Sequence, residues 1–216
     1  MTTRPRTICF ILSAFFLSSC SLLGSDEPHR IVRVKALADP ALRERNPDWN
    51  AEVRGLVEAS SDYFEREFGI RLVTQSAAAW PAKEKIASTA GLLARLKKDF
   101  PQNAKDHSVD LIIAFTAEPV NRYVGGRARV DRIGDCQQGL GRYIVTYVSR
   151  PFRYTGYELE PPIDVIALVH ELGHIFGARH TQDTRSIMDE NFDYRAEFDM
   201  KNRNVILRNR MCPFAK

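Results

Sequence analysis

Residues 170–180 read HELGHIFGARH, and no other stretch constrains the chain so tightly, since three of its five histidines lie there. His170 and His174 stand four residues apart, so on a helix both imidazoles leave one face and can reach one ion. Glu171 falls beside that face, roughly 100° around the axis. Gly177 follows one turn later, where a helix can stop and the backbone can turn left-handed. The chain can then fold back and bring His180 to the same point. Three neutral imidazoles leave the fourth tetrahedral position of a single Zn²⁺ open, as a catalytic site requires. Zinc there would lower the pKa of a bound water, and Glu171 would take its proton and deliver it to a leaving amine. HExxH arises by accident in under about 1% of chains this long, and Gly177 with His180 makes accident far rarer. A lone histidine is more often packed or hydrogen-bonded than a ligand, and His29 and His107 read that way.

The N-terminus sets the compartment. Arg4 and Arg6 precede the apolar run Ile8–Leu17, which is too short to span a bilayer and has the layout of a secretory signal. Leu17-Ser18-Ser19-Cys20 resembles the bacterial lipobox, which implies cleavage before Cys20 and lipidation of that cysteine. Ser21 resembles the pattern sorted to the outer membrane. The simpler reading is an ordinary signal peptide cut near Ser19. The expected organisation is a lipoprotein signal peptide over residues 1–19, a lipidated tether over 20–28 and one catalytic domain over 29–216. A bacterial envelope location follows, with the membrane reached through acyl chains rather than a spanning helix. Net charge is only +4 over 216 residues, which gives no reason to expect a nucleic-acid partner. With Cys9 cleaved away and Cys20 lipidated, Cys136 and Cys212 remain, either as a disulfide or as two buried thiols; an oxidising compartment favours the disulfide.

Along the chain, Arg30–Ala36 alternates as a strand should, and Trp49–Phe68 carries apolar residues at helical spacing before the stop at Gly69. GIRLVTQ reads as a second strand, Ala82–Phe100 as a helix, and Val109–Phe115 as a central strand covered on both sides. The order predicts an α/β fold with a mainly parallel sheet. The segment 124–141 is glycine-dense but contains neither GxGxxG nor GxxxxGK[ST], so it is no phosphate cradle. GRARV reads as a short exposed strand, Arg142–Val148 as another, Asp164–Gly177 as the histidine-bearing helix, and Tyr194–Leu207 as a last one.

HELGHIFGARH matches HExxHxxGxxH of the metzincin zinc peptidases, and SIMDE resembles their Met-turn. The strand–helix order, YVGGRARVDRIGDC and the late cysteine look like the adamalysin/reprolysin catalytic domain. The resemblance implies a zincin fold: a twisted, mostly parallel sheet with an antiparallel edge strand, an active-site helix and a small C-terminal subdomain. It implies that His170, His174 and His180 hold one zinc ion, that Glu171 assists attack by a zinc-bound water, and that Met188 lies beneath the site without ligating. It also implies that Gly126, Arg127, Ala128, Arg129 and Val130 form the edge strand for an extended substrate, and that Cys136 pairs with Cys212. Tyr123, Arg127 and Arg129 could shape substrate preference, although a solvated surface position is the default for each.

Thr181 stands where adamalysins usually have Asp. No tyrosine lies two residues after Met188, and Tyr194 is no clear substitute, so a tyrosine fifth ligand is unsupported. No room for a substantial pro-domain is seen between Cys20 and the first strand, which leaves no cysteine switch. The expectation is a monomeric zinc metalloendopeptidase acting on protein or peptide. The alternatives are an envelope amidase acting on cell-wall peptides and a non-catalytic zinc-containing binding lipoprotein.

Overall fold

The structure, a computed structural model, describes residues 30–81, 86, 88–101, 108–119, 126–156, 161–190 and 197–215. The signal, Cys20, the tether, His29, His107, Tyr123 and Tyr194 lie outside them. Among the described residues, five strands form one sheet in the order β2-β1-β3-β5-β4. They are β1 (Arg30–Ala38), β2 (Ile70–Ala79), β3 (Leu111–Thr116), β4 (Ala128–Val130) and β5 (Tyr143–Tyr147). Every pairing is parallel except β4 with β5, so an α/β sheet carries an antiparallel edge strand.

Helices cover both faces. Against one lie α2 (Trp49–Phe68) and α4 (Ile163–Ile175), whose Val53, Leu56, Phe64, Val165 and Leu172 meet Val32, Val34, Ile113 and Ile144 of the sheet. Against the other lies α3 (Thr89–Asp99), with Leu92, Leu93 and Leu96 packed on Leu37, Ile112 and Val145. All six residues of β3 are buried, as a strand covered on both faces demands. Gly69 ends α2 at φ 65°, donating its N–H to Glu65 and Phe64. No described helix is long and apolar enough to cross a membrane.

Several boundaries differ from expectation. β1 and β2 run on to Ala38 and Ala79. The described part of α3 starts only at Thr89, because Ser88 caps it by accepting from the Gly91 N–H; Ile86 is outside the helix. The last helix, α5 (Met200–Asn209), starts later than Tyr194, with Asp199 accepting from Asn202 N. A short helix, α1 (Pro40–Arg45), was not anticipated, although Asp39-Pro40 carries its signal: the Asp39 carboxylate accepts from Leu42 N at 2.8 Å, and Pro40 fits the first turn.

Glu52, buried in α2, fixes the approach to α4. Its carboxylate accepts from Arg45 Nη2 at 2.9 Å, Asn46 Nδ2 at 2.7 Å and Phe152 N at 3.0 Å. The segment after β5 is thereby strapped across α2, where Tyr154 and Phe152 lie closely over Gly55, so that a Cβ there would come within 3.0 Å of Tyr154 Cβ. Beyond α4 the chain forms a small C-terminal subdomain built around α5.

Candidate metal centre

α4 is apolar almost throughout because it is sandwiched between the sheet, α2 and the C-terminal subdomain; every residue from Asp164 to Ile175 is buried. His170 and His174 leave it on one face, one turn apart. The helix then stops. Gly177 sits at φ 97°, its N–H reaching His174 O at 2.9 Å while Ala178 N reaches Gly173 O at 2.9 Å. A side chain at Gly177 would meet Gly134 O at 2.6 Å, so both backbone sign and space require glycine. The reversal brings His180 back over the helix.

The three Nε2 atoms converge. His174 Nε2 lies 3.1 Å from His170 Nε2 and 3.1 Å from His180 Nε2, and the remaining edge is 3.3 Å. Ligands about 2.0–2.1 Å from a tetrahedral Zn²⁺ are separated by about 3.3 Å, so the triangle has the size of one zinc face. The opposite ring nitrogens are committed: His170 Nδ1 donates to Ile187 O at 2.6 Å, and His174 Nδ1 to Ala178 O at 2.8 Å. A carbonyl can only accept, so each Nδ1 carries the hydrogen and each Nε2 presents a lone pair. Converging lone pairs repel unless a cation lies between them. Burial pushes the His170 pKa down to about 3 and that of His174 to about 4, with neighbouring histidine charge adding to both. Both rings are therefore neutral at ordinary pH, as ligands must be. His180 is exposed and marks the open side. These donors fit a single zinc ion.

Glu171 is buried at 6% exposure, and burial raises its pKa to about 8 against the pull of the Arg129 charge. Arg129 thus lies within electrostatic reach of Glu171, on the exposed side of β4. Met188 is fully buried. Its N–H bonds to Ser186 Oγ at 3.1 Å, and its carbonyl accepts from Thr181 N at 3.1 Å, pinning the turn to the residue after His180. Gly173 makes the close packing there possible, because a Cβ would meet Met188 Sδ at 2.9 Å and Phe198 at 2.8 Å. Cys136 and Cys212 are joined in a disulfide.

The edge is shorter than expected. Only Ala128–Val130 form strand, and Gly126 turns at φ 73°. Arg127 departs from the solvated default: its Nη2 lies 2.6 Å from Asp164 Oδ1, with side-chain exposures of 17% and 6%. Three supporting residues escaped the sequence reading, although Asp199 carries a local signal as the cap of α5. Asn202 holds Arg179 through N and O, at 2.9 Å each. Asp199 accepts from Ser186 Oγ at 2.8 Å, and Asn209 Nδ2 donates to Phe176 O at 3.0 Å. Their partners are local backbone or loop atoms far along the chain, which no periodicity encodes.

The family model for metallo-peptidase family M12, in its Reprolysin_5 form, matches residues 28–212. The chain belongs to metallo-peptidase family M12. With the three-histidine site, that membership makes it a metzincin-family zinc metalloendopeptidase. No curated protein matches it. Among solved structures, archaemetzincin from Methanopyrus kandleri is similar over 82% of this chain and 94% of its own, at TM-score 0.53 and 17% identity. A chain in a structure described as a chaperone-substrate complex is similar over 83% of this chain and 34% of its own, at TM-score 0.54 and 12% identity. At such identities the likeness concerns the fold alone.

Proposed function

We propose that this M12 enzyme cleaves peptide bonds by water attack assisted by Glu171, in an adamalysin/reprolysin-like manner. The observation that carries the reading is the convergence of three Nε2 atoms, two of them presenting lone pairs because their Nδ1 atoms are tied to carbonyls, with a buried carboxylate one residue from the first histidine. When bound, zinc supplies a Lewis acid that polarises the scissile carbonyl and acidifies water. His170, His174 and His180 hold it. Glu171, whose ionised form a bound dication would favour, is the residue that would accept the proton of the attacking water and pass it to the departing amine. Met188 forms the apolar floor. β4 is an edge strand of the sheet among the described residues, and its outer side is where an extended substrate would add. The subfamily assignment rests on sequence likeness and on the disulfide between Cys136 and Cys212.

The test uses zinc-loaded protein, unfolded protein substrates and cell-wall peptides, with Glu171→Gln as control. Hydrolysis of unfolded protein that falls at least a thousandfold in a variant retaining zinc supports the mechanism. Cleavage unaffected by Glu171→Gln would overturn it. Hydrolysis of cell-wall peptides alone would favour an amidase, and zinc binding without hydrolysis a binding protein.

For location, the proposal is a monomeric lipoprotein of the bacterial envelope, with signal 1–19, tether 20–28, domain 29–216 and acyl chains on Cys20. Leu17-Ser18-Ser19-Cys20 supports anchoring, and Ser21 supports sorting to the outer membrane. Palmitate labelling lost in Cys20→Ala, with release from the membrane fraction, is the expected result.

A further inference from the structure

Beside the metal centre lies a groove of about 640 Å³, bounded by the Gly134–Gln137 loop, the turn after Gly177 and one face of α5. Its wall includes His180 and Thr181, so it opens directly onto the third histidine. Three cations line it: Arg179 from the turn, and Lys201 and Arg208 from α5. On α5, Lys201, Val205 and Arg208 recur at helical spacing, which puts both charges on the groove side of one helix. All three are exposed, and none has a carboxylate partner among the described residues.

The nearby acids are engaged elsewhere. Asp135, which also lines the groove, accepts from Gln137 N at 2.8 Å and Gln138 N at 2.6 Å. Asp183 pairs with Arg185 at 3.3 Å, and Asp199 accepts from Ser186 and Asn202. Three like charges around one groove repel each other, and an anionic occupant relieves that. Because the charges are spread along a groove rather than focused on one point, the occupant they suit is extended.

We propose that this groove is a subsite for an acidic stretch of the peptide substrate, confined to one side of the bond that is cut. The proposal rests on the peptidase reading above and deepens it, naming a substrate class. The cations attract carboxylates across solvent, so their effect is salt-sensitive and shows chiefly in KM.

The experiment pairs zinc-loaded protein with matched fluorogenic peptides carrying Glu-Glu or Gln-Gln on either side of a common scissile bond. The comparison is Arg179→Gln/Lys201→Gln/Arg208→Gln, checked for folding and zinc content. The expected result is about a tenfold preference in kcat/KM for acids on one side only, carried by KM, eroded by added salt and lost in the triple variant. Equal cleavage of acidic and neutral peptides, or a preference surviving in the triple variant, overturns the groove and leaves the peptidase reading standing. If no peptide is cut, the peptidase reading fails and binding decides. Labelled Glu-rich peptide is then titrated into the same two proteins. Salt-sensitive binding about tenfold weaker in the triple variant upholds the groove. Binding only to vesicles containing phosphatidylglycerol, or no binding, overturns it.

Discussion

Arg127 Nη2 and Asp164 Oδ1 meet at 2.6 Å, joining the approach to the edge strand to the first turn of the histidine helix. Asp164 also accepts from Ser149 N and Ser149 Oγ, at 2.9 Å each, so one carboxylate ties three segments around the cleft. Arg127 is further held over the Tyr147 ring. Removing one partner of a mostly buried pair strands the other charge. Asp164→Ala is therefore expected to cost about 3 kcal/mol in urea unfolding, and Arg127→Met/Asp164→Leu to recover part of that. Because the pair sets the distance between edge and helix, kcat/KM should fall about tenfold or more while zinc affinity changes little.

Gly177→Ala should act in the opposite way, on the metal first. Its φ of 97° and the nearness of Gly134 O leave no place for a methyl group. The backbone must shift where it delivers His180, with a loss of about 2–4 kcal/mol and a clear drop in zinc affinity. Zinc titration followed by competition with a chelator measures it. Zinc affinity equal to that of the original protein would show that His180 is positioned by something other than this turn.

Much of this was legible in the sequence because it is written locally. Helical spacing exposed α2 and the HExxH face, an unbroken apolar run exposed β3, and Gly177 announced the reversal. What stayed hidden depends on long-range partners. Arg127 looks like a surface charge until Asp164, far along the chain, is folded against it. Asn202 and Asn209 look like ordinary helix residues until their amides meet the Arg179 and Phe176 backbones. The start of α3 at Thr89 was hidden for another reason: Ser88 caps it, while Ile86, which fits the helical spacing, lies outside the helix.

The disulfide should matter beyond its own loop. Cys136 lies two residues from Gly134, whose N–H bonds His174 O at 2.9 Å. Cys212 lies three residues from Asn209, which holds Phe176 O. The bond thus staples together the two segments that flank the Gly177 turn. Cys136→Ser/Cys212→Ser should lose about 2–5 kcal/mol of stability and release zinc faster to a chelator. Unchanged zinc release in a destabilised variant would confine the disulfide to a purely global role.

In metal-free protein, the buried groups of the site give stability a maximum near neutral pH. Burial lowers His170 and His174 from 6.5 to about 3 and about 4. Between about 4 and 6.5 the unfolded chain therefore binds two more protons there than the folded one, and stability falls as pH falls. Burial raises Glu171 from 4.5 to about 8, so over that window the folded chain holds one more proton and stability falls as pH rises. Below 6.5 the two histidines outweigh the one carboxyl; above it their remaining protonation in the unfolded chain fades and Glu171 dominates. The alkaline decline is on the order of 1 kcal/mol between pH 6.5 and 8, because the unfolded histidines offset part of the roughly 1.4 kcal/mol per unit that one proton contributes. Thermal melts of chelator-treated protein from pH 5 to 9 should show that maximum, and Glu171→Gln should flatten only its alkaline side. An alkaline limb unchanged in the variant would place its cause outside Glu171.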